Sequence, residues 1–435
     1  MRFALTLSLF SFFGQMLFAE EWPQWMGPNR DAVWSEKGII RKFPADGLKV
    51  LWRSPVAGGF SGPSVADGKV FVPDFVVKKG ESTNDFNKRD ERSGIERIHC
   101  LDSKSGKTIW KFEYPVVYKI SYASGPRVTP TYHAGKVFCL GAEGHFYCLD
   151  AQTGKEIWKK DFQKEYKAST PLWGFCGHPL IHGNAVICLV GGPGSVVVAF
   201  EKDTGKELWK AITASEQGYC PPTLIQAGGV KQLIIWDADK INSLDPSDGK
   251  VFWSLPLKPN YGMSIAAPRV FGNYLFAGGI GSIGAGFLLD SKKPSATMAW
   301  EGNRNNALYP ANSTPFVQDG IVYGFDCHQG WLGAFEIATG QRLWQEFKPA
   351  VGQRASHGTA FLVKNDDHFY LASETGDLIC AKLSPKGYEE VSRTKILKPT
   401  NSAFNRDVLW SHPAFANQCV FWRNDQEIIC VSLKQ

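Results

Sequence analysis

The sequence predicts an all-β fold, an eight-bladed β-propeller with four-stranded antiparallel blades. Two observations support this prediction. A motif ending in Trp recurs along the chain at spacings of 44 to 58 residues, and a Pro recurs in the same place of nearly every unit. Self-similarity at a period of about 40–50 residues is typical of propellers, whose blades are sheets of four short strands.

The repeated motif predicts one strand, a turn and the next strand. Its copies share an apolar pair, an acidic residue, a turn that ends in Gly, and a strand that contains Trp. They are CLDSKSGKTIW (100–110), CLDAQTGKEIW (148–158), AFEKDTGKELW (199–209), SLDPSDGKVFW (243–253) and AFEIATGQRLW (334–344). The acidic residue can bond its own turn backbone, and the Gly supplies a positive φ.

The tryptophans are expected to dock each blade on the next, because one small sheet cannot cover its own apolar face. The docking residues are Trp52, Trp110, Trp158, Trp209, Trp253, Trp300 and Trp344. The seventh unit is a degenerate copy that ends near Val391, and 44 residues then remain for an eighth. That last unit lacks a Trp strand. We therefore expect the strand around Trp52 to complete it, so that both ends of the chain close one blade.

A Pro is expected at the start of each first strand, where its missing N–H does no harm. One position per unit fits, with Thr in the seventh: Pro63, Pro130, Pro179, Pro222, Pro268, Pro315, Thr359 and Pro413.

The N-terminus indicates export. Arg2 precedes a largely apolar stretch, Phe3 to Phe18, and residues 1–19 are interpreted as a signal peptide cleaved near Ala19. A buried N-terminal strand is the alternative. No Cys follows the cleavage site, so no lipid anchor is expected there, and no other stretch of about 18 apolar residues could span a membrane. We expect a periplasmic or secreted soluble monomer, with a lead-in (20–49) packed across one face of the propeller (50–435).

The charge pattern argues against nucleic acid as a partner. The formal net charge of +6 falls to +5 without Arg2, and acidic and basic residues are mixed throughout. No basic run with interleaved aromatics is present. The charge is interpreted as a solvated surface.

Ten cysteines in an exported chain raise the possibility of disulfides. Cys100, Cys148, Cys380 and Cys430 occupy a motif position that Ala fills elsewhere, which favours buried thiols. Cys139 would face Cys148, and Cys419 would face Cys430, across two-residue turns. Bridges at these two pairs and free thiols both remain open.

The segment Lys78–Gly94 is a charged insertion between the second and third strands of blade one. In an up-and-down blade this loop lies on the face where each first strand is entered. A polar loop of this length is either functional or disordered, and we expect disorder.

Candidate binding residues come from the connections that enter the first strands and converge at the mouth of the central channel. The predicted binding residues are Arg127, Trp173, Tyr219, Arg354, His357, Arg406, Trp410 and His412, with Phe175, His178, Tyr261, Tyr309 and Asn312 on the same connections. Aromatic, Arg and His side chains suit a planar or anionic ligand, a sugar or a peptide strand. The alternative is that they pack the rim and that the arginines bond to backbone carbonyls.

No catalytic residue or metal site is predicted. No nucleophile–base pair can be assembled from the sequence. His178, His357 and His412 lie at similar strand starts and could bind zinc or copper, but their blades (three, seven and eight) are not all adjacent.

The Trp motif resembles the tryptophan-docking motif of the pyrroloquinoline quinone (PQQ) repeat propellers, over nearly the whole chain after residue 19. This superfamily includes quinoprotein alcohol dehydrogenases and BamB-like outer-membrane assembly factors. Since the motif is a packing device, the resemblance implies the fold more than the function.

The sequence departs from both of these branches. The dehydrogenases typically carry a Cys-Cys dipeptide, which is absent here, as is a C-x-x-C-H haem site. Their calcium ligands have no clear match, and Asn405 with Asp407 is the nearest candidate. BamB-like factors carry a lipid-bearing Cys, which this chain lacks.

We therefore expect a non-catalytic scaffold that binds an envelope protein or a small molecule and has no cofactor. The alternative is a PQQ- and calcium-dependent oxidoreductase acting on an alcohol or sugar, in which Trp173 or Trp410 would stack on the quinone.

Overall fold

The computed structural model describes residues 20–435, which form eight four-stranded antiparallel sheets and one two-stranded sheet. The predicted eight-bladed propeller is confirmed. The predicted signal peptide, residues 1–19, lies outside the described residues. Among residues 20–435, no helix is both long enough and apolar enough to cross a membrane.

The first strand, β1 (Val50–Pro55), belongs to the last blade, and blades one to four follow it in chain order. Blade one contains β2 (Ser64–Ala66), β3 (Lys69–Lys79), β4 (Asp90–Asp102) and β5 (Thr108–Ile120). Blade two contains β6 (Thr131–His133), β7 (Lys136–Leu140), β8 (His145–Asp150) and β9 (Glu156–Asp161), followed by the short helix α1 (Phe162–Tyr166). Blade three contains β10 (Leu180–His182), β11 (Ala185–Leu189), β12 (Val197–Glu201) and β13 (Glu207–Ala211). Blade four contains β14 (Thr223–Ala227), β15 (Val230–Trp236), β16 (Lys240–Leu244) and β17 (Val251–Pro256).

A 3-10 turn (Asn260–Gly262) leads into blade five, and a small hairpin precedes blade eight. Blade five contains β18 (Arg269–Phe271), β19 (Tyr274–Gly279), β20 (Ile283–Leu289) and β21 (Ala296–Glu301). Blade six contains β22 (Phe316–Gln318), β23 (Ile321–Phe325), β24 (Leu332–Glu336) and β25 (Arg342–Glu346). Blade seven contains β26 (Ala360–Asn365), β27 (His368–Ser373), β28 (Asp377–Ser384) and β29 (Gly387–Lys395). The hairpin is β30 (Asn401–Ala403) with β31 (Arg406–Val408), and blade eight contains β32 (Ala414–Ala416), β33 (Cys419–Arg423) and β34 (Glu427–Ser432).

Six of the blades dock on the next blade through a tryptophan, as the sequence predicts. The Trp110 indole N–H donates to the carbonyl of Ala151 in blade two at 3.0 Å, and the ring lies against Gly154 of the same turn. Equivalent bonds join Trp52 to Ser103, Trp158 to Lys202, Trp300 to Ile337, and Trp344 to Ser384. Trp209 lies against Gly249.

Blade four departs from this pattern. The turn that Trp253 would meet, 290–295, contains no Gly. The Trp253 indole donates instead to Gln232 of its own blade at 3.0 Å.

The turn chemistry also matches the prediction. The Asp102 carboxylate accepts bonds from the backbone N–H and the hydroxyl of Ser105, at 2.8 and 2.7 Å. Gly106 follows with a φ of +69°. Asp150 and Gly154 repeat this arrangement in blade two.

The repeated Pro or Thr residues directly precede the eight first strands, from Pro63 before β2 to Pro413 before β32. The last blade closes as predicted, because β1 pairs antiparallel with β34 and places Trp52 opposite Cys430.

The lead-in crosses the face of the propeller opposite the mouth, as the sequence predicts. Trp22 bridges to Val65 of blade one, and Val33 bridges to Lys364 of blade seven. Tyr132 of blade two donates its backbone N–H to the carbonyl of Pro23. The lead-in thus holds together blades that are not neighbours.

The predicted cysteine pairings are wrong in register. Cys139 lies opposite Tyr147, and Cys148 lies opposite Phe138, so these two thiols point to opposite faces of the blade. Cys419 lies opposite Ser432 rather than Cys430, because the blade-eight turn begins one residue later than predicted. All ten cysteines fall in the described residues and are free thiols there.

Both ends of the insertion in blade one are strand. β3 continues to Lys79 and β4 begins at Asp90, so only residues 80–89 form a loop. Asn84 donates from its side-chain amide to the carbonyl of Ser402 at 2.9 Å, and Arg89 donates to the carbonyl of Thr170 at 3.1 Å. The expectation of a disordered loop is therefore replaced by a segment bonded to the connections into blades three and eight.

Candidate functional site

A cavity of about 380 Å³ lies at the channel mouth, where the first strands are entered. Most of the lining is aromatic or aliphatic. The aromatic members, including three histidines, are Trp25, Phe60, Phe86, Tyr122, Trp173, His178, Tyr219, Tyr261, His357, Phe404, Trp410 and His412. The aliphatic wall comes from blades five and six and includes Met263, Ile265, Ile280 and Ala311.

Trp25 of the lead-in forms the floor of this cavity. Its indole stacks on the His178 imidazole with ring centroids 4.8 Å apart and planes 9° apart. Its N–H points to Nε2 of His412 at 3.4 Å. The lead-in therefore closes the channel from below, and the mouth is a bowl rather than a pore.

The three histidines of the bowl are uncharged at neutral pH. Burial lowers the pKa of His412 to about 3, and burial with a smaller effect of Arg406 lowers the pKa of His357 to about 4. Burial, together with the neighbouring His412 and Arg30, holds the pKa of His178 well below its usual value. His178 Nδ1 accepts the backbone N–H of Thr129 at 3.1 Å, which places the ring proton on Nε2.

Acid should destabilise the protein through these buried rings. Because the folded pKa of His412 lies below the unfolded value, the unfolded chain binds the extra proton, and stability falls as pH drops from about 6.5 toward 3. Relative to His412→Gln, the wild-type free energy of unfolding should fall by about 2 kcal/mol between pH 6.5 and pH 5. Urea denaturation across this range measures the difference, with the pair compared first at pH 7.5. Parallel pH profiles of the two proteins would contradict it.

Arg127 lines the bowl, but its guanidinium is occupied by backbone. It donates to the carbonyls of Trp173 (2.9 Å), Ser121 (2.9 Å) and Tyr122 (2.7 Å), and also to the carbonyl of Gly125. Its charged end lies 5.2 Å from the centre of the Phe60 ring. Arg127 therefore bonds to backbone carbonyls and holds the connections between blades in place, which was the alternative to ligand binding.

Arg406 lies outside the bowl, behind Trp410. Its Nε donates to Glu374 at 2.7 Å, and the other oxygen of that carboxylate accepts the Trp410 indole N–H at 2.9 Å. Glu374 is buried, and burial raises its pKa while Arg406 opposes the rise. The Arg406–Glu374 pair therefore orients Trp410 rather than contacting a ligand.

The structure brings together six of the eight predicted binding residues. Arg127, Trp173, Tyr219, His357, Trp410 and His412 line the cavity, whereas Arg354 is exposed outside it and Arg406 lies behind Trp410. Of the other residues on these connections, His178, Tyr261 and Asn312 line it. Phe175 and Tyr309 are buried and do not.

Several lining residues escaped the sequence prediction because they lie outside the connections considered. Phe86 comes from the blade-one insertion and stacks near Phe404 of the β30–β31 hairpin at 6.2 Å. Phe404 in turn stacks on His357 at 4.8 Å. The aromatic content of the lead-in and the mouth-side position of the insertion were the available signals.

The bowl does not assemble a metal centre. Within residues 20–435, no group of three or more His, Cys, Asp or Glu side chains is placed to hold a metal ion. Asn405 and Asp407 are not among the residues that line the cavity.

A family model described as "Outer membrane protein assembly factor BamB" matches residues 94–286. That segment runs from the third strand of blade one into blade five and contains four of the docking tryptophans. Over this segment the chain is similar to the PQQ-like β-propellers. No curated protein matches the sequence significantly.

Solved structures share the fold of this eight-bladed propeller. BamB from Moraxella catarrhalis is 15% identical, with a TM-score of 0.57 over 89% of this chain and 98% of that one. Quinohemoprotein alcohol dehydrogenase from Comamonas testosteroni is 12% identical, with a TM-score of 0.60 over 95% and 80%. A europium-containing methanol dehydrogenase is 13% identical, with a TM-score of 0.56 over 95% and 89%. At these identities the likeness shows the fold alone.

Proposed function

We propose that this PQQ-like propeller is an exported, non-catalytic binding protein that holds a small ligand or a partner protein at the channel mouth. The observation behind this proposal is the bowl itself, an aromatic-walled cavity whose floor is closed by Trp25. A concave, largely apolar cavity with a few polar groups is the usual form of a ligand site. The same geometry would accept apolar side chains of a partner.

The titratable groups of the bowl favour binding over catalysis. A general base works best with a pKa near the operating pH, whereas burial lowers the pKa of His412 to about 3 and that of His357 to about 4. Burial also raises the pKa of the Cys176 thiol to about 11, which leaves little thiolate. No Asp or Glu is among the described residues that line the cavity.

The same residues do not fit calcium-bound PQQ. Calcium takes six to eight oxygen ligands, usually with carboxylates among them, and the bowl offers only hydroxyls and one amide near its wall. The carboxylates of the quinone would require cationic partners, but the Arg127 guanidinium already donates to four backbone carbonyls. We therefore derive no redox chemistry at this site.

Export is part of the proposal and rests on the N-terminal sequence. The apolar stretch after Arg2 has the form of a signal peptide. The matching family model is named for an outer-membrane assembly factor.

Calorimetric titration of the purified protein with PQQ, with and without calcium, tests the non-catalytic assignment. We expect no binding heat and no rise in Tm at millimolar PQQ in either condition. Tight, calcium-dependent binding that is lost in Trp410→Ala and retained in Arg354→Ala would overturn the assignment. It would instead support oxidation of an alcohol or sugar at the bowl.

A further inference from the structure

The bowl offers a charged ligand neither a carboxylate nor a free guanidinium. Among the described residues that line it, Arg127 alone carries a formal charge, and its N–H groups point to the carbonyls of residues 121, 122, 125 and 173. The three histidines of the lining are neutral at physiological pH because they are buried. The nearby carboxylate of Glu374 is shielded, since it accepts bonds from both Arg406 and Trp410.

Edge-to-face contacts with neighbouring rings hold two tryptophans in the wall. Trp410 meets Tyr122 at 6.0 Å with planes 66° apart, and Trp173 meets Tyr219 at 5.8 Å with planes 64° apart. Trp410 is also held by its bond to Glu374. Rings held in this way present large flat surfaces that are already fixed in the free protein, so a ligand need not order them when it binds.

We propose that the ligand of the bowl is a small, uncharged aromatic molecule that packs against Trp410 and Trp173. This inference rests on the proposed function and narrows it from any small ligand or protein to one chemical class. A cation would meet the positive charge of Arg127, and an anion would find that guanidinium already bonded to four carbonyls. Either ion would therefore lose hydration that the apolar site does not replace. A flat neutral ring loses little hydration and gains stacking on the tryptophan faces. The cavity volume of about 380 Å³ is large enough for a ligand of one or two fused rings with substituents.

Three probes that share a naphthalene ring but are neutral, anionic and cationic test the proposal. The probes are 2-naphthol, 2-naphthoate and (2-naphthylmethyl)trimethylammonium, titrated calorimetrically into the purified protein at pH 7. We expect 2-naphthol to bind at least tenfold more tightly than either ion. Equal or tighter binding of the anion or the cation would overturn the neutral class.

Variants locate the binding. Trp410→Ala should weaken 2-naphthol binding about tenfold. Since this change also uncovers Glu374, Tyr261→Ala provides a second test at a lining ring that is 66% exposed and has little part in the fold. We expect it to weaken binding severalfold. Phe271→Ala is the matched control, because Phe271 is 44% exposed in the first turn of blade five, on the opposite face. Equal effects of all three changes would overturn the assignment to the bowl.

A blocked amino acid separates a free ligand from a partner's side chain. If N-acetyltryptophanamide binds more tightly than 2-naphthol, the bowl takes a protein side chain and the small-molecule class is overturned. If none of the probes binds at its solubility limit, the inference also fails. The non-catalytic function would survive that result as protein binding, because it depends on the separate PQQ titration.

Discussion

Replacing Gly154 with Ala is expected to lower the free energy of unfolding by about 3 kcal/mol. The new Cβ would come within 2.6 Å of the Trp110 ring, and the residue would have to hold a φ of +72°. The first effect forces the docked indole away from the turn of the next blade. The second strains the backbone, since side chains other than Gly rarely adopt this region.

Gly135→Ala is the matched control for this change. Gly135 lies in another turn of the same blade with a φ of +77°, but its Cβ would meet no atom within 4 Å. Only the backbone strain remains there, so the loss should be about 1 kcal/mol. Urea denaturation measures the free energy of unfolding of both variants. We expect a difference of about 2 kcal/mol, which is the cost of disturbing the Trp110 contact. Equal losses in the two variants would show that the Trp110 contact contributes nothing beyond backbone strain.

The repeat made most of the fold predictable, because the docking contact is encoded locally. The Trp and the Gly that meet in space belong to successive copies of one motif, so the spacing alone counts the blades. Closure was predictable for a similar reason. The last unit lacks its outer strand, and β1 is the only N-terminal strand that carries a Trp at the docking position.

Register depended on turn length, which the sequence leaves open. Cys139 was predicted opposite Cys148, but the turn between β7 and β8 starts at Gly141 and spans four residues. A change of one residue in a turn moves every side chain to the other face. In blade eight the turn starts one residue later than predicted, which places Cys419 opposite Ser432 and leaves Cys419 and Cys430 on the same face.

The location of the site could be predicted from the sequence, but the roles of individual residues could be predicted less well. The connections into the first strands had to converge at the mouth, and most of the named aromatics do line it. The arginines were harder to interpret, because the partners of Arg127 are backbone carbonyls, which every residue possesses. The position of Trp25 depends on the width of the channel, a property of all eight blades together.

Replacing Arg30 with Ala should strongly destabilise the protein, lowering the free energy of unfolding by about 3 kcal/mol. The Arg30 guanidinium donates to the carbonyls of Pro179 (2.7 Å) and His178 (3.3 Å) where blade three begins. It also lies 5.2 Å from the centre of the Trp25 ring. Burial lowers its pKa to about 10, so it stays charged at neutral pH. Its loss leaves buried carbonyls without a donor and removes one support of the floor.

Arg30→Lys and Arg53→Ala complete the Arg30 experiment. Lysine keeps the charge but not the planar fork, so it should recover only part of the loss. Arg53 makes an exposed ion pair with Glu427 at 2.8 Å, and its removal should change stability by less than about 1 kcal/mol. Urea denaturation ranks the three variants. If Arg30→Ala were no worse than Arg53→Ala, the lead-in would only cover the channel, and its contacts with blade three would not stabilise the propeller. The expected ranking instead means that the lead-in stabilises the propeller. Arg30 would then support both the stability of the fold and the floor of the binding bowl.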